Sequence, residues 1–195
     1  MGTRAKAEEV MKTPFLVGET IYFRPLEPGD GLDAARWFRE RELSGRFATG
    51  FPMNDEAGLR QVESLTRDER QVALAVAHRA DDKLVGALRI YSLQPQRRSG
   101  GYRLALDPAI RGAEKVALEA TKLVLAYAFE TLGLNRVWLQ EPAGDKALRR
   151  RFAKAGFTEE GVLRQEAWKD GRYEDVVVMG ILRAEWEARR GARTR

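Results

Sequence analysis

The chain has 195 residues, with 34 Lys and Arg against 29 Asp and Glu and a hydrophobic fraction of 44%. That balance describes a folded domain of ordinary size, not a fibrous or disordered chain. Having no cysteine and a single histidine, His78, the chain excludes disulfide frameworks, thiolate metal sites, thiol nucleophiles and paired-histidine metal ligation.

No apolar run approaches the ~20 residues that cross a bilayer. Met1 to Lys12 is charged throughout, unlike a signal peptide, so the cytoplasm is the expected location. Bases and acids are interspersed, as on a solvated surface, and the +5 net charge gives no strong case for nucleic acid. Dense basic stretches occur at Arg149 to Arg151 and from Arg183 to Arg195.

Residues 1–13 read as a loose arm, 14–188 as one domain and 189–195 as a basic tail. The first strand is Thr20 to Pro25, where Ile21 and Phe23 alternate with Tyr22 and Arg24. Pro28-Gly29-Asp30 turns the chain into a helix whose Leu32, Ala35 and Phe38 share one face. The glycine-rich stretch Ser44 to Asn54 reads as a loop with apolar plugs, and a short helix runs from Asp55 towards Asp68.

Two strands follow, Val72 to Val76 and Leu84 to Ser92, around the turn Asp81-Asp82-Lys83. Tyr102 to Leu106 is a third, stopped by Asp107-Pro108. Val116, Ala120, Leu123, Val124, Tyr127 and Ala128 recur at helical spacing and predict the longest helix, Glu114 to Leu132. Val137 to Leu139 is a strand, and Asp145 to Ala155 is a helix stopped by Gly156. Val162 to Trp168 and Tyr173 to Leu182 make a hairpin around Lys169-Asp170-Gly171-Arg172. The order β-α-α-β-β-β-α-β-α-β-β is an α+β arrangement, a mixed and mostly antiparallel seven-stranded sheet flanked by helices.

The passage Phe157-Thr-Glu-Glu-Gly161-Val-Leu-Arg164, continued by Asp170-Gly-Arg-Tyr-Glu-Asp175-Val-Val-Val-Met179, resembles the ending of one branch of the GCN5-related N-acetyltransferases. That branch acetylates ribosomal-protein N-termini, polyamines and similar amines. Tyr127 to Arg136 is similar to its central helix exit and Ile21 to Leu26 to its opening strand, so the resemblance spans about Leu16 to Trp186. It implies acetyl-CoA as co-substrate, no metal, a primary amine as acceptor and a possible homodimer. The pantetheine arm would pair with backbone at Leu104, Ala105 and Leu106. The pyrophosphate would meet the helix start formed by Arg111, Gly112, Ala113, Glu114, Lys115, Val116 and Ala117. Arg149 and Arg150 stand where relatives place basic groups near the phosphates.

Three departures from the family pattern bear on activity. Its phosphate loop approximates R-G-x-G-x-A, and the two glycine positions here hold Ala113 and Lys115. Alternatively, Arg111-Gly112 keeps the register and one residue is inserted before Ala117. Glu114 reads either as an acid complementing the helix dipole or as a group repelling the ligand. The family's carboxylate base in R-x-A-E-L-G is replaced within Arg98-Ser99-Gly100-Gly101-Tyr102-Arg103 by glycine. Its N-x-x-S becomes Asp145 and Leu148, and Phe152 occupies the place of a frequent tyrosine acid. Glu141, Asp145 and Tyr102 are the surrogate catalytic candidates, Asp145 doubling as a helix cap.

An acid or base contributes about 10²–10⁴-fold, whereas positioning contributes ~7–11 kcal/mol, so transfer survives such losses at reduced rate. The first reading is an acetyl-CoA-dependent N-acetyltransferase acting on a protein N-terminus, polyamine or small-molecule amine. The second is a degenerate module that holds acyl-CoA or a partner without turnover. The third assigns the basic tail to ribosome or RNA contact.

Overall fold

The computed structural model describes residues 11–40 and 52–191. Most of the loop expected over Ser44 to Asn54, the arm before Met11 and the last four residues lie outside them. The strands are β1 (Leu16–Val17), β2 (Ile21–Pro25), β3 (Val72–His78), β4 (Leu84–Gln94), β5 (Ser99–Leu106), β6 (Arg136–Pro142), β7 (Thr158–Lys169) and β8 (Arg172–Leu182). They form a mixed, mostly antiparallel sheet in the order β1-β2-β3-β4-β5-β6-β8-β7. The α+β arrangement is as expected, with one more strand because two residues, Leu16 and Val17, pair with Phe23 and Tyr22. The chain resolves into two compact units, one running to Ile90 and resuming over Arg103–Leu123, the other comprising Tyr91–Tyr102 and the chain from Val124.

In the first unit, β2 pairs antiparallel with β1 and β3, and β3 with β4. The alternation in β2 suggested one wet face, yet Ile21, Tyr22 and Phe23 are fully buried and Arg24 nearly so. The Tyr22 hydroxyl and both terminal nitrogens of Arg24 have partners, whereas Arg24 Nε has none among the described residues. Arg24 forms two 2.8 Å bonds to the carboxylate of Asp30. The Tyr22 hydroxyl donates to Asp82, and burial followed by that bond pushes its pKa up to about 12.

Helices α1 (Asp30–Trp37) and α2 (Asp55–Arg67) cross where Gly31 meets Gly58. A Cβ on Gly31 would lie 2.7 Å from the Gly58 carbonyl, so the contact face is set by small residues. Leu32, read as sharing a face with Ala35, is turned out at 49% exposure while Ala35 and Trp37 are buried. Asn54 caps α2 by accepting from the Ala57 amide at 2.8 Å.

Helix α3 (Ala113–Ala126) passes into a π-helical turn, Tyr127–Thr131, where a single long α-helix was expected. In the second unit, β5 pairs parallel with β6, and β8 pairs antiparallel with β6 and β7. Helix α4 (Lys146–Ala155) buries Leu148 and Phe152 and ends at Gly156, whose φ of +115° suits glycine. The start of the basic tail is helix α5 (Arg183–Gly191), anchored by Trp186 against Phe129 at 5.3 Å.

Strand β7 is the sheet edge, and its register slips between Glu159 and Gly161 and between Leu163 and Ala167. The second slip contains Gln165 at φ +53°, whose amide donates to Asp175 at 2.8 Å. Val162, Trp168 and Tyr173 are exposed on this hairpin.

Candidate functional site

Strand β5 begins at Ser99, three residues before the predicted start, because Gly100 and Gly101 are strand residues and not part of a loop. Its ladder with β6 runs through Ser99–Arg136, Gly100–Val137 and Gly101–Trp138 and ends there. Yet β5 continues to Leu106 and β6 to Pro142. A strand that continues beyond its ladder leaves backbone amides and carbonyls to pair with an extended amide-bearing chain.

On the downstream half of β5, Ala105 is buried while Leu104 and Leu106 are half-buried. Its other edge is held by β4, where a Cβ on Gly86 would lie 2.5 Å from the Ala105 carbonyl oxygen. Asp107 then stops the strand: its amide donates to Val85 at 2.9 Å and its carboxylate accepts from the Ala109 amide at 2.9 Å. Arg36 reaches the same carboxylate at 3.2 Å. These bonds fix the direction in which the chain leaves β5.

The loop turns into α3 at Gly112, which has φ +72°. That conformation is costly for any residue with a Cβ, so the turn calls for glycine here. The Gly112 carbonyl accepts from the amides of Lys115 and Val116 at 2.9 and 3.2 Å. The amides of Arg111, Gly112 and Ala113 make no hydrogen bond of ordinary geometry among the described residues. Arg111, Glu114 and Lys115 are exposed, whereas Val116 and Ala117 are buried and face inward. The turn into α3 is therefore made at Gly112.

The second unit holds the other residues singled out from the sequence. Tyr102 is 1% exposed, with its ring edge-on to Phe152 at 6.3 Å. Phe152 in turn stacks edge-on with Phe157 at 5.7 Å, so the position of the frequent tyrosine acid belongs to an aromatic cluster. Asp145 caps α4, accepting from the Leu148 amide at 2.9 Å. Glu141 is half-buried inside β6, opposite Val177. Arg149 forks onto both oxygens of Glu159 at 2.8 and 2.7 Å and donates to the Ala143 carbonyl at 3.0 Å. That fork holds the Glu159 carboxyl below its usual range. Arg150 is exposed.

The ring of Tyr91 lies directly over Gly101, the position that the sequence reading matched to the family's carboxylate base. A Cβ on Gly101 would sit 2.6 Å from that ring, which also packs edge-on against Trp138 at 5.4 Å. Reading the sequence missed Tyr91. The available signal was the Gly-Gly pair in a strand, which makes room for an aromatic neighbour.

Residues 20–158, well over half of the chain, match the model of the GNAT acetyltransferase domain. The chain belongs to this family. YjcK of Bacillus subtilis (strain 168), provisionally named an N-acetyltransferase, is 31% identical over 88% of this chain and 99% of its own. YdaF of the same bacterium, whose name carries a provisional ribosomal N-acetyltransferase assignment, is 30% identical over 88% and 96%. A solved spermidine N-acetyltransferase of Vibrio cholerae, in complex with CoA and spermine, superposes with a TM-score of 0.75 at 22% identity. It covers 86% of this chain and 98% of that one, which establishes the fold. In this GNAT chain, no group of three or more acidic or histidine side chains gathers as metal ligands among the described residues. No helix among them is long and apolar enough to cross a membrane.

Proposed function

We propose that this GNAT chain transfers the acetyl group of acetyl-CoA to a primary amine. The observation that carries this reading is the segment Leu104 to Ala113. A strand released from its ladder leads into a glycine turn that presents three consecutive amides at the start of α3. Backbone at Leu104, Ala105 and Leu106 pairs with the pantetheine arm. The amides of Arg111, Gly112 and Ala113 take the pyrophosphate, aided by the positive end of the helix. Lys115 adds charge from the rim, while Val116 and Ala117 seat the helix. Bound there, acetyl-CoA supplies an activated thioester.

Arg149 is committed to Glu159 and Asp145 to its cap, so neither is assigned to the cofactor or the chemistry. Tyr102 is assigned to packing. Gly101 supplies no carboxylate, so the acceptor amine gives its proton to water before it attacks. Positioning carries the rate.

Calorimetric titration with acetyl-CoA, combined with thiol release in the presence of a mixed amine panel, tests the reading. Binding with release supports the transferase. Binding without release supports an acyl-CoA-holding module, the reading that the missing carboxylate at Gly101 favours. Absence of binding overturns both.

A further inference from the structure

The first unit contains a cavity of about 120 Å³ under α1 and α2. Leu88 and Ala87 of β4, Ala105 of β5, and Trp37 and Phe38 at the end of α1 are among its walls, which are mostly apolar. Among the described wall residues the one carboxylate belongs to Asp30, and Arg24 already occupies both of its oxygens at 2.8 Å. The other charged residues among the described ones on the wall are Arg89 and Arg103.

Arg103 and Ala105 on the wall flank Leu104, whose backbone is assigned to the pantetheine arm. Acyl transfer needs the acceptor nitrogen within about 3.5 Å of the thioester carbon, so a cavity sharing this strand is placed to hold the acceptor. We infer that the cavity receives an apolar side group of the amine, of leucine size up to nearly phenyl. A cavity of about 150 Å³ accommodates benzene, which sets the upper size. Among the described wall residues a polycation finds no carboxylate that is not already engaged, and the apolar walls would strip its hydration. The inference rests on the acetyltransferase reading. In the transfer, the amine nitrogen forms a bond to the acetyl carbon, the carbon–sulfur bond breaks with its electrons on sulfur, and the nitrogen's proton passes to water.

The test compares leucinamide, glycinamide and spermidine as acceptors of the full chain, by thiol release and by saturation-transfer NMR. Leucinamide and glycinamide share the same type of α-amine and differ in the side group. Leucinamide is expected to exceed glycinamide by about tenfold or more in kcat/KM, the effect of burying an isobutyl group. Its methyl protons are expected to show saturation transfer that Ala87→Phe, which fills the cavity, removes. Gln61→Glu, an exposed change on the cavity rim in α2, is expected to fold normally and raise spermidine use relative to leucinamide. Equal or better use of glycinamide or spermidine by the unaltered chain overturns the inference while the transferase stands. If no amine releases thiol, the methyl saturation transfer alone decides, and its absence overturns the inference.

Discussion

The aromatic face of Tyr91 occupies the space that any side chain at Gly101 would need, 2.6 Å from where its Cβ would sit. Gly101→Ala is expected to cost about 1–3 kcal/mol, as overpacking does. The loss should be read as a lower urea midpoint at unchanged slope. Tyr91→Ala in the same chain should restore most of that loss, so the double change is less than additive. Because no carboxylate stands at this position, kcat/KM should rise with pH until the amine itself is neutral. A profile that levels off near pH 5 would reveal a carboxylate base elsewhere.

Gly112→Ala forces a Cβ into the left-handed region at an exposed turn where nothing else would obstruct it. Stability should fall by only about 1 kcal/mol. CoA affinity should fall about tenfold or more, because charge-assisted amide bonds to phosphate are lost together. Calorimetry and thermal unfolding of the same sample separate the two effects.

Arg149→Ala breaks the fork onto Glu159 and leaves CoA affinity within about twofold. Arg111→Ala and Lys115→Ala should each weaken binding and flatten its dependence on salt concentration. A large loss with Arg149→Ala and none with the other two would move the phosphate site to α4.

Glu119 on α3 accepts from the Thr20 amide at 2.9 Å and hydroxyl at 2.5 Å, and from the Ile21 amide at 3.3 Å. Burial raises the pKa of its carboxyl, but the bonds from Thr20 and Ile21 outweigh burial and the net direction is down. A depressed carboxyl contributes stability that is complete above its ordinary pKa and is lost as pH falls through the folded value. Urea midpoints measured from about pH 7 to about pH 3 should therefore fall more steeply for the unaltered chain than for Glu119→Gln. Above about pH 5, Glu119→Gln should be the less stable of the two.

Periodicity made most of this architecture legible. The valine and leucine runs of β3, β4 and β8 and the stripe from Val116 to Ala120 lie where alternation and helical spacing place them. Glycine misled in two places. Gly100 and Gly101 read as a loop because their use, space for a neighbouring ring, depends on Tyr91 nine or ten residues upstream. Gly31 and Gly58 set the face of α1 through a contact between two helices, so Leu32 was grouped with Ala35 although only Ala35 is buried. Arginine-rich composition hid α5, whose one buried anchor is Trp186. For the site, the resemblance pointed to Arg111 and Gly112, whereas the turn into α3 at Gly112 is visible only in its φ. Asp145 was legible as a helix cap, whereas the commitment of Arg149 was beyond reach, since its partner Glu159 lies across a turn that spacing does not describe.

The two slips in β7 carry a consequence for handling the molecule. An outermost strand with bare backbone and exposed Val162, Trp168 and Tyr173 would ordinarily invite another molecule to add itself and start a growing filament. By interrupting the repeat of bare donors and acceptors, Glu160 and Gln165 deny such an arrival a straight template. Straightening the edge by trimming residues 164–166 would remove that safeguard before it touched any group that does chemistry.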